Sequence, residues 1–259
     1  MLAGEVSPRT RSTLAPIMER ALHEWDRGVA SQGRVRLWRG VVYSLSSVTC
    51  DGRWSLMVGV RGQGRRFDIQ IALDNAMEVF WRHGYEGASI ADLTQAIGIK
   101  TSSLYAAFGD KRHLFELVIE RYLETKGRFT SLAFEEETGS LRLIRRLLSD
   151  AAIEYVSDGG PGGCLIVSAA NCVTDANRDV AEKLEAHRCL NIKRIEDVLQ
   201  ADLKMGEIPK TVDPTAIASF VGTVLYGMAQ RGRDGASVCE LRSTAEMAIK
   251  QVERTMNIP

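Results

Sequence analysis

Hydroxyl and ammonium groups are concentrated in one short stretch of the sequence. Thr101, Ser102 and Ser103 are consecutive, and Tyr105 and Lys111 follow. Such side chains bind oxygen-rich partners through hydrogen bonds and charge, although each also occurs as an ordinary solvated or partly buried residue. The sequence shows no Ser-His-Asp pattern, P-loop, dinucleotide fingerprint or paired-carboxylate motif. Binding is therefore favoured over catalysis, and no cofactor is expected.

Helical signals precede this stretch. Apolar residues recur at three- and four-residue intervals over 69–80, which predicts an amphipathic helix that ends where Gly84 takes a left-handed cap. Ser89 and Asp92 resemble a capping box, with Asp in place of the usual Glu, and open a short helix that Gly98 stops.

Two further helices are predicted after a two-residue turn. The first covers 101–108, and Asp110 caps the second, which runs over about 111–126. Two short helices joined by a Gly-containing turn and braced by a longer one form a helix-turn-helix. The same spacing also fits three short helices of an ordinary α bundle, and spacing alone does not decide between the two.

Two runs of residues resemble a known family. They are Phe80-Trp-Arg-His-Gly-Tyr-Glu-Gly-Ala-Ser-Ile-Ala-Asp-Leu-Thr-Gln-Ala-Ile-Gly-Ile and Ser103-Leu-Tyr-Ala-Ala-Phe-Gly-Asp-Lys-Arg-His-Leu-Phe. Both resemble the DNA-binding segment of TetR/AcrR-type bacterial transcriptional regulators, and the match extends without a gap from Arg65 to about Tyr122.

The resemblance implies an all-α homodimer. Residues 63–112 would form a three-helix helix-turn-helix domain, and residues 113–259 a larger helical domain for ligand binding and dimerisation. Most members of the family are repressors. The implied partners are a palindromic double-stranded DNA operator and a small-molecule inducer, unknown here, that releases the protein from DNA.

The residue types fit contacts with a duplex. A recognition helix offers short polar side chains to base edges in a major groove about 12 Å wide, while its opposite face stays apolar. Leu104 and Phe108 would bury against the first helix. The Tyr105 hydroxyl and the Lys111 ammonium suit phosphate oxygens, and the arginines before the first helix could reach the minor groove or remain solvated. The expected DNA contacts are Arg65, Arg66, Ser89, Lys100, Thr101, Ser102, Ser103, Tyr105 and Lys111.

Three positions depart from the family pattern. The family commonly has Ser or Asn where Lys100 stands, a basic residue where Thr101 stands, and Gly or Pro where Ser102 stands. A lysine side chain cannot accept hydrogen bonds from the free N–H groups at a helix start, so we expect the cap to shift to Thr101. The DNA-binding role remains, but an operator sequence cannot be borrowed from the family.

Helical stripes continue to the C-terminus. They predict helices over 141–155, from Cys164, over about 176–203, from Pro214 and over 241–256. In the family the last two helices pair with those of a second subunit as a four-helix bundle, although such stripes could also pack only within one subunit. The expected interface residues are Ala218, Val221, Gly222, Leu225, Ala245, Ile249 and Val252.

Cys164 is a candidate sensor. Gly162-Gly-Cys-Leu-Ile-Val resembles the segment that opens the sixth helix in a subset of the family, where the matching cysteine senses electrophiles or oxidants. Its place near a helix start predicts a lowered pKa, while an ordinary buried cysteine is the alternative. Metal sensing by Cys164, Cys172, His187 and Cys189 matches no familiar spacing, so no metal is expected.

Composition limits the remaining classes. A chain with 45% hydrophobic and 25% charged residues is globular, and its zero net charge requires that any polyanion be met by a local basic patch. No run approaches the roughly 18 to 20 apolar residues of a membrane helix, and no signal peptide is visible. Five cysteines without a CxxC pair indicate reduced thiols. We expect a cytoplasmic protein.

The first residues differ from the rest. Residues 1–66 contain eleven arginines, no lysine and five acidic side chains, a net charge of +6. A helix over 12–27 and a hairpin turn at Asp51-Gly52 are possible there, without a clear partner to bury against. We treat residues 1–62 as an atypical extension, and residues 1–56 are either translated upstream sequence, since Met57 would suit a natural start, or a genuine accessory segment.

Overall fold

Ten α-helices and one 3₁₀ turn form the described part of the chain, residues 68–156 and 160–256 of a computed structural model, and this part contains no strand. In chain order they are α1 (Ile69–Gly87), α2 (Ile90–Ile97), α3 (Thr101–Phe108), α4 (Lys111–Glu124), α5 (Arg128–Glu136), α6 (Ser140–Glu154), α7 (Leu165–Ser168), the 3₁₀ turn Asp175–Asn177, α8 (Arg178–Met205), α9 (Pro214–Arg233) and α10 (Val238–Thr255). The predicted all-α fold is confirmed. The helix expected over 12–27 and the turn at Asp51-Gly52 lie outside the described residues. No described helix is long and apolar enough to cross a membrane.

The ends of α2 and α4 are set by local signals. Ser89 and Asp92 form a reciprocal capping box at the start of α2, and Gly98 ends this helix in the left-handed conformation. Asp110 caps α4 by accepting a 2.8 Å hydrogen bond from the N–H of His113. These predicted caps are confirmed, because each depends on side chains within one turn of the helix end.

Gly84 divides α1 into two helical segments. Its φ of 72° is positive, as predicted, but its ψ of 174° lies outside the left-handed helical region, and the chain becomes helical again through Gly87. The N–H of Tyr85 donates to the Ala169 carbonyl at 2.6 Å, whereas in an unbroken helix it would bond to Trp81. The first helical segment therefore ends at Gly84 as predicted, but without a left-handed cap, and a short second segment follows it to Gly87.

The first of two hydrophobic cores joins α1–α4 to α7 and the start of α8. Its largest fully buried side chains are Phe80, Leu93, Leu104, Phe108, Leu114, Leu165 and Leu184. Because α4 buries Leu114 and Phe115 in this core, the packing does not divide at the domain boundary expected at residue 112.

The second core is formed by α6, α9, α10 and the later part of α8. It buries Leu143, Ile144, Leu147, Leu148, Ile195, Leu199, Val221 and Val252. Asp213 caps α9 through the N–H groups of Thr215 and Ala216, and Pro214 occupies the first turn, as predicted. Helix α5, which packs on this core through Ala133, has no counterpart among the sequence predictions.

Most side chains expected at a dimer interface lie inside the subunit. Five of the seven are buried in the second core or its helix contacts: Ala218, Val221, Gly222, Ala245 and Val252. A Cβ at Gly222 would stand 2.7 Å from Cγ1 of Ile192, so the close approach that this glycine permits is to α8 of the same chain. These five side chains therefore pack within their own subunit, Leu225 and Ile249 are partly buried, and the interface assignment stays a prediction.

Candidate nucleic-acid interface

Helix α3 separates an apolar face from a polar one. Leu104 and Phe108 are 0% and 2% exposed and pack in the first core, as predicted. Thr101 and Ser102 are exposed, and Ser103 is partly buried. The short polar side chains are therefore open to a partner along a helix that is anchored from behind.

Tyr105 stands on the outer side of α3. It is 47% exposed, which excludes the alternative of a core tyrosine. Lys100, just before the helix, is also exposed. A phenolic hydroxyl and an ammonium group thus lie on the surface beside the three short polar residues.

The start of α3 has no side-chain cap. Lys100 is the N-cap residue in extended conformation, its side chain makes no capping bond, and Thr101 is the first helical residue. The expected shift of the cap to Thr101 is therefore wrong. The Lys100 carbonyl accepts from the N–H groups of Ser103 and Leu104 at 2.9 and 3.1 Å. N–H groups at a helix start that lack such a cap suit water or an anion, and a phosphate oxygen meets that need.

Lys111 lies against an aromatic ring. Its Nζ is 4.6 Å from the ring centroid of Tyr85, and the residue is partly buried. Burial lowers the pKa of Lys111, while the negative charge of Glu86 opposes this change. The ammonium group is thus held at the first turn of α4 by a cation–π contact that the sequence did not reveal.

The three remaining residues that were expected to contact DNA are Ser89, Arg65 and Arg66. The Ser89 hydroxyl donates to Asp92 Oδ2 at 2.6 Å and accepts from the Asp92 N–H at 3.1 Å, so the capping box already uses it. Arg65 and Arg66 lie outside the described residues. The surface around α3 is therefore formed by Lys100, Thr101, Ser102, Ser103, Tyr105 and Lys111.

A polar network fastens the end of α1 to the start of α8. Glu86 Oε1 accepts from the N–H of Thr174 at 2.7 Å, from its hydroxyl at 2.8 Å and from Asn177 Nδ2 at 2.9 Å. Hydrogen bonds from Asn177 and Thr174 lower the pKa of Glu86 to about 2. Arg112 pairs with Asp179 and donates to Asn177 Oδ1 at 3.2 Å. Sequence reasoning missed this network, because no local pattern links side chains so far apart along the chain.

Cys164 lies between the two cores. It precedes the four-residue helix α7, is partly buried, and packs against both clusters of apolar side chains. The Tyr122 hydroxyl donates to its Sγ at 3.3 Å. Burial raises the pKa of the Cys164 thiol despite this bond and nearby backbone N–H groups. The predicted lowering is wrong, because desolvation outweighs what the start of a one-turn helix supplies.

The other candidate metal ligands remain apart. Cys172 and Cys189 are exposed free thiols, and His187 is partly buried with its pKa lowered by burial. Within residues 68–156 and 160–256 no group of three or more His, Cys, Asp or Glu side chains is arranged to hold a metal ion.

These features define a class of protein. A turn that starts at Gly98 joins α2 and α3, α1 and α4 pack with them in the first core, and hydroxyl groups face outward from α3. This is the architecture of a helix-turn-helix DNA-binding module on a helical body.

Known families and proteins agree with this class. Residues 72–118 match the model described as bacterial regulatory proteins, tetR family. Residues 142–236 match the tetracyclin repressor-like C-terminal domain. The HTH-type transcriptional repressor ComR of Escherichia coli K12 is 31% identical over 73% of this chain and 91% of its own length. The chain therefore belongs to the TetR family of bacterial transcriptional regulators, and it is a DNA-binding regulator rather than an enzyme.

Two further proteins are similar to this chain over the same share of its length. The HTH-type transcriptional repressor BdcR of Escherichia coli K12 is 28% identical over 73% of this chain and 91% of its own. A cysteine mutant of the TetR family regulator CifR, solved with 26bp double-strand operator DNA, is 34% identical with a TM-score of 0.68. That likeness covers 73% of this chain and 98% of CifR. The part of the chain that these proteins share is about three quarters of its length.

Proposed function

We propose that the protein is a repressor that binds a palindromic DNA operator as a homodimer and is released by a small-molecule ligand. The observation that carries the proposal is the outward polar face of α3, which is exposed while Leu104 and Phe108 anchor the same helix in the first core. ComR and BdcR are named repressors, and the CifR mutant was solved on operator DNA, which supports the same role here. A protein that acts on chromosomal operators works in the cytoplasm.

In the proposed complex, α3 lies in the major groove. Base-edge contacts are assigned to Thr101, Ser102 and Ser103. Contacts with the sugar-phosphate backbone and the minor groove are assigned to Arg65, Arg66, Lys100, Tyr105 and Lys111. Since Ser89 already satisfies the capping box, any contact it makes with a phosphate would use its remaining lone pair through water. Phosphate contacts fix the register of the helix, and the three short side chains read the bases.

The outward faces of α9 and α10 form the proposed dimer interface. Phe220 on α9 is 39% exposed and Met247 on α10 is 74% exposed, although both are large apolar residues. Thr223 and Gly227 follow Phe220 at helical spacing on the exposed side of α9. A Cβ at Gly227 would meet nothing within 4 Å, so this glycine leaves room for a second helix. Two such helix pairs would form a four-helix bundle that covers the exposed apolar side chains.

Release of the protein from DNA requires a site where a ligand can move α4 relative to α8. A groove of about 140 Å³ lies between α4 and α8. Phe115, Ile119 and Leu184 form its apolar floor, and the ion pair between Lys183 and Glu116 crosses its rim at 2.7 Å. A ligand that widens this groove would separate the two helices and alter the position of α3, which α4 braces.

The experiment for the proposed function is a selection of fragments of the organism's own genomic DNA by the full chain, followed by binding to the recovered duplex. We expect an inverted repeat, a complex of one dimer per duplex, and an affinity that falls steeply with salt. Binding to no duplex at low ionic strength would overturn the proposal. Addition of candidate metabolites linked to the neighbouring genes then tests release.

Redox or electrophile sensing through Cys164 is a second candidate. The thiol lies where both cores meet, so an adduct there would disturb the DNA-binding half and the C-terminal half together. Burial keeps the thiol protonated and slows its reaction, which argues against a highly activated cysteine. Peroxide or quinone should weaken operator binding by the wild-type chain and leave Cys164→Ser unaffected. If treated wild-type protein binds as before, this candidate is excluded.

A further inference from the structure

Two carbonyl groups of α1 are bound by a side chain from α9. Because the N–H of Tyr85 donates to Ala169, the Trp81 carbonyl has lost its partner within the helix. Arg233 donates from Nη1 to the Trp81 carbonyl at 2.7 Å and from Nη2 to the Arg82 carbonyl at 2.8 Å. The guanidinium group thus caps the first segment of α1 at the negative end of its dipole.

The end of α9, which carries Arg233, is itself held in place by a neighbouring loop. Arg233 lies in the last turn of α9, where the loop over 160–164 packs against the helix backbone. A Cβ at Gly162 would stand 2.7 Å from the Gly232 carbonyl oxygen, and one at Gly163 would stand 2.4 Å from that of Ala229. Backbone meets backbone at this contact, so the end of α9 has little freedom to shift.

Helix α7 and the residue after it complete the junction. The Ser168 hydroxyl lies 3.4 Å from Arg233 Nη1, and the Ala169 carbonyl holds the N–H of Tyr85. A planar guanidinium group binds two neighbouring carbonyls at once, which a lysine ammonium on a single flexible stem does not reproduce. The break in α1, the short helix and the end of α9 therefore form one hydrogen-bonded unit around Arg233.

We infer that Arg233 is a positioning residue for operator binding. It fixes the angle between α1, which carries α2 and α3, and α9, the helix proposed to face the second subunit. A dimer built this way holds its two α3 helices at the separation of successive major-groove segments, about 34–36 Å or a multiple of it. The inference rests on the proposed function, but it concerns only the spacing of the two helices and no contact with DNA.

The test compares Arg233→Met and Arg233→Lys with the control Arg128→Met, an exposed arginine at the start of α5 and outside the proposed dimer interface. Each full chain is titrated with the selected operator, with a duplex that carries a single half-site, and with operators whose half-sites are moved by one base pair. We expect Arg233→Met to lose about tenfold in affinity for the operator and to bind the single half-site like wild type. Its preference among half-site spacings should flatten, Arg233→Lys should fall between, and Arg128→Met should match wild type.

A second measurement needs no DNA. Spin labels at Ala106→Cys, an exposed position on α3, report the distance between the two α3 helices of a dimer whose other cysteines are replaced. We expect a broader distance distribution in Arg233→Met than in wild type or Arg128→Met. If the wild-type chain binds no duplex yet this broadening occurs, the proposed function fails and the positioning role stands.

Two results would overturn the inference. One is an equal loss of affinity for the half-site and the operator, and the other is an unchanged label distance in Arg233→Met. Should Arg233→Met fail to fold, Gly84→Ala disrupts the same junction from α1, because Gly84 has a φ of +72° and a Cβ there would lie 3.1 Å from the Ala169 carbonyl oxygen. Gly84→Ala must then flatten the preference among half-site spacings, as Arg233→Lys does. If Gly84→Ala and Arg233→Lys both keep the wild-type preference, the positioning role is contradicted.

Discussion

Helices α3 and α10 use their two faces in different ways. In α3 the buried face holds Leu104 and Phe108, and the exposed face is polar apart from Ala106 and the body of Tyr105. In α10 the buried face holds Val252, while Met247 is apolar and 74% exposed. A polar exposed face suits a hydrated partner such as DNA, and an exposed apolar side chain suits another protein surface. In both helices the regular apolar stripe marks the subunit's own core, and the residues proposed to face a partner lie outside that stripe.

The largest expected effect tests the buried face of α3. Phe108→Ala should lower the free energy of unfolding by about 3–5 kcal/mol, because it removes a large side chain that is 2% exposed from the first core. Urea denaturation followed by circular dichroism measures the loss. Tyr105→Ala, on the exposed face of the same helix, is the control and should change this free energy by no more than about 0.5 kcal/mol. Equal effects of the two substitutions would show that the faces of α3 are not divided as described.

The next effect tests the exposed face of α10. Met247→Glu should raise the dissociation constant of the dimer by about two orders of magnitude, because it places a charge in the proposed apolar contact. Analytical ultracentrifugation measures the constant. Met205→Glu, at a methionine that is 67% exposed at the end of α8, is the control and should leave the dissociation constant unchanged. A dimer that tolerates Met247→Glu as well as the control would move the interface away from α10.

A smaller effect tests the exposed face of α3. Tyr105→Ala and Lys111→Ala should each weaken operator binding by about tenfold through loss of a phosphate contact. Only Lys111→Ala should also reduce the slope of log affinity against log salt, by about 1, because it alone removes a charge. Tyr105→Phe, which lacks only the hydroxyl, separates hydrogen bonding from packing. Unchanged affinity in both alanine variants would count heavily against the site.

Features of the fold that depend on neighbouring residues could be predicted from the sequence. The caps by Ser89 and Asp110 each act within one turn, so local spacing is enough to find them. The burial of Leu104 and Phe108 also follows from spacing, because residues four apart lie on one face of a helix. The polar face of α3 was recognised for the same reason, with the family resemblance added.

Features that depend on tertiary packing could not be predicted. The bond from Thr174 to Glu86 spans 88 residues and that from Arg233 to Trp81 spans 152, so neither leaves a periodic signal. The direction of the Cys164 pKa shift depends on how much apolar structure covers the thiol, and sequence gives no measure of this. Whether a stripe on α9 faces the subunit or its partner likewise depends on the neighbouring helices.

The smallest expected effect concerns the pH dependence of the link between α1 and α8. Hydrogen bonds from Asn177 and Thr174 hold the pKa of Glu86 at about 2, below the value of 4.5 for an unperturbed side chain. The unfolded chain therefore binds a proton at this site more readily than the folded one, so the stabilisation is full above about pH 4.5 and is lost as the pH falls towards 2. Glu86→Gln removes this titration and keeps a neutral acceptor. We expect wild type to be more stable by a constant margin near neutral pH, and the margin to shrink in acid.

Thermal unfolding of both chains from neutral pH down to about pH 2.5 measures that margin. Glu182→Gln, on the exposed side of α8, controls for the loss of one negative charge. A margin between wild type and Glu86→Gln that stays constant into acid would show that Thr174 and Asn177 do not favour the charged form of Glu86. A shrinking margin would show that this carboxylate, near the DNA-binding helices, is ionised in the contact with the start of α8. The link between the end of α1 and the start of α8 would then depend on a charged contact, which an apolar stripe in the sequence does not reveal.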